Sequence, residues 1–188
     1  MSHYDVDIHR KRFAAWAAVT AARASKKCRF TRSEGLLIIE RSELSKFVQW
    51  ADLPSHNFDK AHRALRAAVC HAAIGVLKID PERFTHGVAA KLINVYLKSM
   101  FLSGAGLEAA DSQTQSKVNA LHPPIDRLLL TSLASKDIGG NADFWRQQFS
   151  KGWSNFSSDD YENTIDKIRL VTNGALWKIE EHWLGPTE

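Results

Sequence analysis

Apolar residues recur at helical spacing in almost every long segment of this chain, and this pattern constrains the fold more than any other feature. No long segment shows the alternation of apolar and polar residues that a half-buried strand requires. Ten glycines and five prolines are also too few for an all-β chain, which depends on many tight turns. The sequence therefore predicts a single all-α domain of seven or eight helices over residues 1–188.

Capping patterns and helix-breaking residues delimit the individual helices. Capping-box patterns at 31–34 and 157–160 predict two helix starts, and Thr85 predicts a third. The small and polar stretch 104–120 is interpreted as a long loop. The pattern places helices near 13–23, 35–44, 58–77, 88–102, 124–134, 142–149, 159–171 and 175–184.

The positive charge of the chain is concentrated at its N-terminal end. Residues 1–32 carry eight basic against two acidic side chains, a net +6, whereas the remaining 156 residues carry 17 basic against 19 acidic ones, a net −2. Such a basic region attracts polyanions, of which nucleic acid is the commonest. A solvated basic helix end and loop explain the same charges. The candidates for DNA contact are Lys26, Lys27, Arg29 and Arg32.

Several classes of site and location are disfavoured by what the sequence lacks. No apolar run approaches the ~20 residues of a membrane span, and the first residues have no apolar signal-peptide core. Two cysteines make neither a disulfide framework nor a four-cysteine iron–sulfur site, and the eight histidines do not follow zinc-binding spacings. We therefore expect a cytoplasmic protein without membrane contact, metal or cofactor. No pattern indicates an oligomeric state.

The hairpin-like segment 80–102 contains a lysine about one turn into a predicted helix, after a turn that includes Gly87. Free backbone N–H groups at such a helix start can bind phosphate. An apolar environment lowers the pKa of an amine, which makes Lys91 a candidate nucleophile. A lysine on the polar side of an amphipathic helix, after a glycine that only turns the chain, has the same spacing.

The proline-rich segment 121–130 contains a carboxylate, Asp126, at the start of another predicted helix. The helix is expected to begin at or just after Pro124, so that Asp126 falls in its first turn, where the helix dipole favours negative charge. A carboxylate fixed there and facing a cleft can stabilise a sugar cation or accept a proton. The alternative is an aspartate that only stabilises its helix.

These two segments also carry a resemblance to a known family. They read Gly87-Val88-Ala89-Ala90-Lys91 and His122-Pro123-Pro124-Ile125-Asp126-Arg127. The first resembles the G-V-G-x-K motif of the helix-hairpin-helix DNA glycosylases, especially the 8-oxoguanine branch. The second is similar to the proline-rich run before the catalytic aspartate of that family, particularly in its archaeal members.

The resemblance implies base excision on DNA by an all-α protein. It makes Lys91 the nucleophile that attacks the sugar and Asp126 the aspartate that stabilises positive charge and moves protons. It also implies that the backbone around the hairpin glycine holds a DNA phosphate, through Gly87, Val88 and Ala89. The candidates for the substrate pocket are His86, His122 and Arg127.

The resemblance covers residues 84–130, a quarter of the chain, and departs from the family pattern in three ways. Ala89 replaces the second hairpin glycine, His86 stands where a proline is usual, and the loop between the two segments is longer than in bacterial and eukaryotic members. An all-α nucleic-acid-binding or protein-interaction domain without catalysis is the alternative function, and a degenerate glycosylase fold that recognises DNA without cutting it is a third. Near the C-terminus, Trp177 and Trp183 are interpreted as rings that pack on the core.

Overall fold

The computed structural model describes residues 4–103 and 111–183, and all the regular secondary structure in these ranges is helical, without a strand. The predicted all-α fold is therefore confirmed for this part of the chain. The α-helices are α1 (Val6–Ala22), α2 (Arg32–Arg41), α3 (Phe58–Leu77), α4 (His86–Leu97), α5 (Ser112–Ala120), α6 (Arg127–Ser135), α7 (Ala142–Lys151) and α8 (Ser158–Val171). Short 3-10 turns lie at Leu44–Lys46, Trp50–Asp52, Pro81–Arg83, Ile138–Gly140 and Trp153–Asn155.

Side-chain caps fix the helix starts that the sequence indicates. The capping boxes predicted at 31–34 and 157–160 are both formed. Thr85 accepts a hydrogen bond from the Val88 N–H at 3.2 Å and caps α4. Such caps satisfy N–H groups that have no partner within the helix, so they set where each helix begins.

The predicted loop over 104–120 is wrong for its described part. Ser112–Ala120 forms α5, and Asp111 caps it by accepting a hydrogen bond from the Thr114 N–H at 2.9 Å. This helix is short and mostly polar, so apolar periodicity does not reveal it. Residues 104–110 lie outside the described residues.

Two other predicted helices differ in form from what the sequence suggests. α4 is followed by a π-helical turn at Lys98–Leu102, so the predicted helix 88–102 is not regular to its end. The described part of the predicted helix 175–184 contains a 3-10 helix at Leu176–His182. The last residue described, Trp183, follows this 3-10 helix directly.

Two apolar cores meet at α4. The first is built from α1 to α4, with buried residues such as Val19, Ile38, Val69 and Leu92. The second is built mainly from α6 to α8, with buried residues such as Leu129, Trp145 and Ile165. On α4, Ala89 packs in the first core and Ala90 in the second. The next residue, Lys91, therefore lies on a helix that is buried between the two.

No helix within residues 4–103 or 111–183 is a candidate for a membrane span. No helix there combines the length and the apolar character that crossing a bilayer requires.

Candidate active site

Lys91 lies on the buried part of α4, and its side chain is 8% exposed. Its ammonium Nζ donates a hydrogen bond to Asp126 Oδ2 at 3.1 Å. Burial lowers the pKa of Lys91 below the ordinary lysine value, and the neighbouring Asp126 charge opposes that shift. The amine is thus easier to deprotonate than that of a solvated lysine, although it is paired with a carboxylate.

Asp126 is the N-cap of α6 and precedes the helix rather than lying in its first turn. Its Oδ1 accepts a hydrogen bond from the Leu129 N–H at 2.9 Å, which fixes the carboxylate against the helix start. The other oxygen, Oδ2, faces Lys91. The predicted position of Asp126 in the first turn is therefore one residue too far into the helix, and the fold brings Lys91 and Asp126 together across 35 positions of sequence.

The segment that leads to Asp126 is anchored to the helix that carries Lys91. Asn94 Nδ2 donates to the Pro123 carbonyl oxygen at 2.8 Å and to Tyr161 Oη at 2.9 Å. Asn94 is one turn beyond Lys91 on α4, and its side chain is buried. The spacing of the Lys91–Asp126 pair is consequently set by buried hydrogen bonds as well as by the ion pair itself.

A third side chain reaches this carboxylate from the C-terminal part of the chain. Trp183 Nε1 donates to Asp126 Oδ2 at 3.0 Å, and the Trp183 ring is 39% exposed. The sequence interpretation of Trp183 as a core ring missed this contact. No local pattern reveals it, because 57 positions separate the two residues and the tryptophan follows a 3-10 helix.

The Lys91–Asp126 pair lines a cavity of about 630 Å³ between α1, α4, α6 and the turn after α7. This volume lies within the range of about 300–1,000 Å³ that is typical of ligand sites. Cationic, acidic and aromatic side chains share the wall, namely Lys26, Lys91, Asp126, Arg127, Phe149 and Trp153.

Two aromatic rings of the cavity wall lie beside cationic side chains. The ring centre of Trp153 is 5.7 Å from Lys91 Nζ, and that of Phe149 is 5.1 Å from Arg127 Cζ. Cations attract aromatic faces at such distances. Trp153 is half-buried and Arg127 is exposed, so the first of these cation–ring contacts lies deeper in the wall than the second.

The predicted phosphate-binding turn has its N–H groups engaged inside the protein. The Gly87 N–H donates to the Phe156 carbonyl at 3.1 Å, and the Val88 and Ala89 N–H groups donate to Thr85. All three residues are buried. A phosphate could bind these amides of Gly87, Val88 and Ala89 only if those contacts broke.

The four basic residues predicted to contact DNA are all exposed. Lys26 lines the cavity that holds Lys91. Lys27 lines a separate depression beside His86, and Arg32 lines a groove between α1 and α2. The structure therefore joins Lys26 to the candidate site, whereas Lys27 and Arg32 line other depressions.

Of the three predicted pocket residues, Arg127 lines the cavity, whereas His86 and His122 lie elsewhere. His86 is half-buried, and burial lowers its pKa. His122 is buried, with Nε2 2.8 Å from Asp59 Oδ1 and Nδ1 3.0 Å from Tyr161 Oη. The His122 side chain lies away from the cavity because it points from the proline-rich segment toward α3 and α8.

His122 belongs to a buried polar network that joins α3, α4 and α8. His62 Nε2 lies 2.8 Å from Asn94 Oδ1, and the His62 ring stacks on Tyr161 with ring centres 5.4 Å apart. Burial lowers the pKa of His62 well below its ordinary value, and it also lowers the pKa of His122. Both rings are thus favoured in their neutral forms.

Comparison with known proteins adds no relative to these observations: no protein-family model, no curated protein and no solved structure matches the chain.

Proposed function

We propose that this protein is a DNA glycosylase with lyase chemistry, which removes a damaged or modified base from duplex DNA. The observation that carries the proposal is the pair formed by Lys91 Nζ and Asp126 Oδ2, 3.1 Å apart on the wall of an open cavity. A buried amine beside a fixed carboxylate matches what nucleophilic attack at a sugar carbon requires. The resemblance of residues 84–130 to the glycosylase family assigns the same two residues.

In the proposed reaction Lys91 first gives a proton to water and becomes the neutral amine. Its nitrogen then bonds to the sugar carbon C1′ while the bond from C1′ to the base breaks, and the base leaves with the electron pair and takes up a proton from water. The ionised Asp126 stabilises positive charge on the sugar during this step, then accepts the proton that the newly bonded nitrogen loses and passes it to the ring oxygen. Cleavage of the bond from C1′ to the protonated ring oxygen gives a Schiff base. Loss of a C2′ proton to water and departure of the 3′-phosphate with its electron pair then cleave the strand.

The cavity suits a nucleotide that has been turned out of the base stack. Enzymes that act on a base within a duplex extrude it into a pocket and stack it on aromatic or apolar side chains. Trp153 and Phe149 supply such rings on this wall. Lys26 and Arg127 are exposed cations at the same cavity, where they can meet flanking phosphates.

The test is incubation with a panel of damaged duplexes and an abasic duplex, each trapped with borohydride. Wild-type protein should form a covalent adduct with at least one duplex, and Lys91→Gln should form none. Lys117→Gln is the matched control, because Lys117 is as buried as Lys91 and donates to the Trp50 carbonyl at 2.7 Å, away from the cavity. Loss of trapping in both variants points to unfolding, which circular dichroism detects.

A non-catalytic nucleic-acid-binding domain is the second candidate function. The exposed cations of the basic region serve this function equally well, and the Lys91–Asp126 pair then only joins α4 to α6. If wild-type protein binds duplex DNA but releases no base and traps no abasic duplex, this second function replaces the first. If base is released while Lys91→Gln keeps full activity, water is the nucleophile and Asp126 activates it.

A further inference from the structure

One oxygen of Asp126 receives two side-chain donors. Oδ2 accepts from Lys91 Nζ at 3.1 Å and from Trp183 Nε1 at 3.0 Å, whereas Oδ1 accepts the Leu129 N–H. The amine is both a donor to the carboxylate and the proposed nucleophile, so it must leave Asp126 when it attacks. The indole N–H has no such second task.

The position of Trp183 is fixed by the 3-10 helix before it. Leu176 and Ile179 of that helix are buried in the second core. Glu180 forms an ion pair with Lys98, which follows α4. The backbone N–H of Trp183 donates to the Glu180 carbonyl at 2.9 Å and closes the turn. A ring that is partly exposed is thereby held against the carboxylate by a segment that Leu176 and Ile179 anchor in the core.

We infer that Trp183 is a positioning residue of the proposed reaction, which keeps the Asp126 carboxylate oriented toward the sugar while Lys91 is detached from it. This inference rests on the proposed function. With Lys91 gone, the Leu129 N–H and the Trp183 indole still hold one oxygen each, so the carboxylate neither rotates nor drifts toward solvent. Preorganised donors of this kind are a main source of electrostatic stabilisation in catalysis.

The indole N–H also stabilises the negative charge on Oδ2, which weakens the attraction between this oxygen and the Lys91 ammonium. Without it, Lys91 alone faces this oxygen, the ion pair strengthens, and the amine becomes harder to deprotonate. The other charged groups that act on Lys91 are Glu180, which favours its charged form, and Lys98, which opposes it. Both remain when only the indole N–H is removed.

The test replaces the indole by a ring without a donor, in Trp183→Phe. Adduct formation should slow about tenfold, the scale expected for one hydrogen bond to a charged group, and the pH at which the rate is half-maximal should rise. Trp177→Phe is the matched control: Trp177 is 38% exposed on the same segment, and its Nε1 donates to Asn119 Oδ1 at 3.1 Å instead. Its rate and pH profile should equal those of the wild type.

A second measurement needs no substrate. The Nε1–H resonance of Trp183, assigned by its loss in Trp183→Phe, should shift in Asp126→Asn, whereas that of Trp177 should not. An unmoved Trp183 resonance overturns the inference and leaves the proposed function standing. An active wild type with an unchanged pH profile in Trp183→Phe also overturns it. A wild type that is inactive on every duplex overturns the proposed function, and the positioning role with it.

Discussion

Gly87 approaches the Trp153 carbonyl so closely that a Cβ at Gly87 would lie 1.9 Å from that oxygen. The turn that contains Trp153 forms part of the cavity wall. The glycine at the start of α4 therefore lets the wall pack against the helix that carries Lys91. The structural role of Gly87 is to allow this close approach of the two segments, and its backbone N–H donates to the Phe156 carbonyl within the protein.

Gly87→Ala should consequently move the 153–155 turn and lower the free energy of unfolding by about 1–3 kcal/mol, as overpacking in a core does. Gly75→Ala is the control, because a Cβ at Gly75 meets nothing within 4 Å and alanine favours a helix by roughly 0.5–1 kcal/mol. Urea unfolding of both variants measures the difference. Equal effects of the two substitutions contradict the close-packing role.

Asp126→Asn should slow base release by about 100- to 1,000-fold, since it removes a fixed charge beside a developing cation. Asparagine is also a good N-cap, so the helix start should stay capped, but the buried Lys91 ammonium loses its counter-charge, and the free energy of unfolding should fall by more than in the control variant. Asp111→Asn serves as the control, since Asp111 caps α5 in the same way and is exposed. Single-turnover kinetics and urea unfolding provide the two measurements, and full activity in Asp126→Asn contradicts the catalytic role.

The rate of borohydride trapping should rise with pH and then level off. The neutral amine is the nucleophile, and burial lowers the pKa of Lys91 below its ordinary value of about 10.4. The midpoint of the rise should therefore lie below that value. A pH titration of single-turnover trapping measures it, and a midpoint at or above the ordinary lysine value contradicts the assignment of Lys91.

The fold should lose stability in mild acid. His62 and His122 are buried with lowered pKa values, so the unfolded chain takes up protons below about pH 6.5 that the folded chain does not. The free energy of unfolding should therefore fall as the pH decreases, by up to about 1.4 kcal/mol per pH unit for each histidine. Urea unfolding at pH 7.5 and 5.5 should show a shallower dependence in His62→Gln than in the wild type. An exposed control on the same helix is His71→Gln, and a similar flattening there contradicts the prediction.

Affinity for duplex DNA should fall steeply with salt if the basic region contacts phosphates. Removing the charges of Lys26, Lys27 and Arg29 together should reduce the salt slope by up to about three counterions. A control triple variant removes three exposed charges outside this region, namely those of Lys46, Lys60 and Lys136. Fluorescence anisotropy across a salt series measures the slopes. Equal slopes in the wild type and the first variant place any DNA surface elsewhere.

Local chemistry explains which parts of the structure were predictable. The helix 58–77 is found at its predicted bounds, and the cap of α4 by Thr85 is formed, because apolar periodicity and capping act over a few residues. The sequence did not predict α5, because residues 112–120 are mostly polar and the helix start depends on a single cap, Asp111. Lys91 and Asp126 were visible as separate helix-start residues, but their distance depends on how two cores pack around α4.

Trp183 and Asn94 show what local patterns leave out. Each makes a hydrogen bond to a partner at least 29 positions away, and neither belongs to a motif. Trp183 was expected to pack on the core, and no pattern singled out Asn94. Contacts of this kind follow from tertiary packing, which periodicity and spacing do not encode.

The meeting of the two cores at α4 has a consequence for the order in which the site is assembled. A ribosome synthesises Lys91 and Asp126 before the segments from Trp145 to Ile179 that complete the second core. Until those segments pack, α6 has no complete surface to lie against, and its N-terminus has no fixed distance from α4. A nascent chain therefore contains both Lys91 and Asp126 before their geometry exists, and the ion pair forms only when the late segments pack against it.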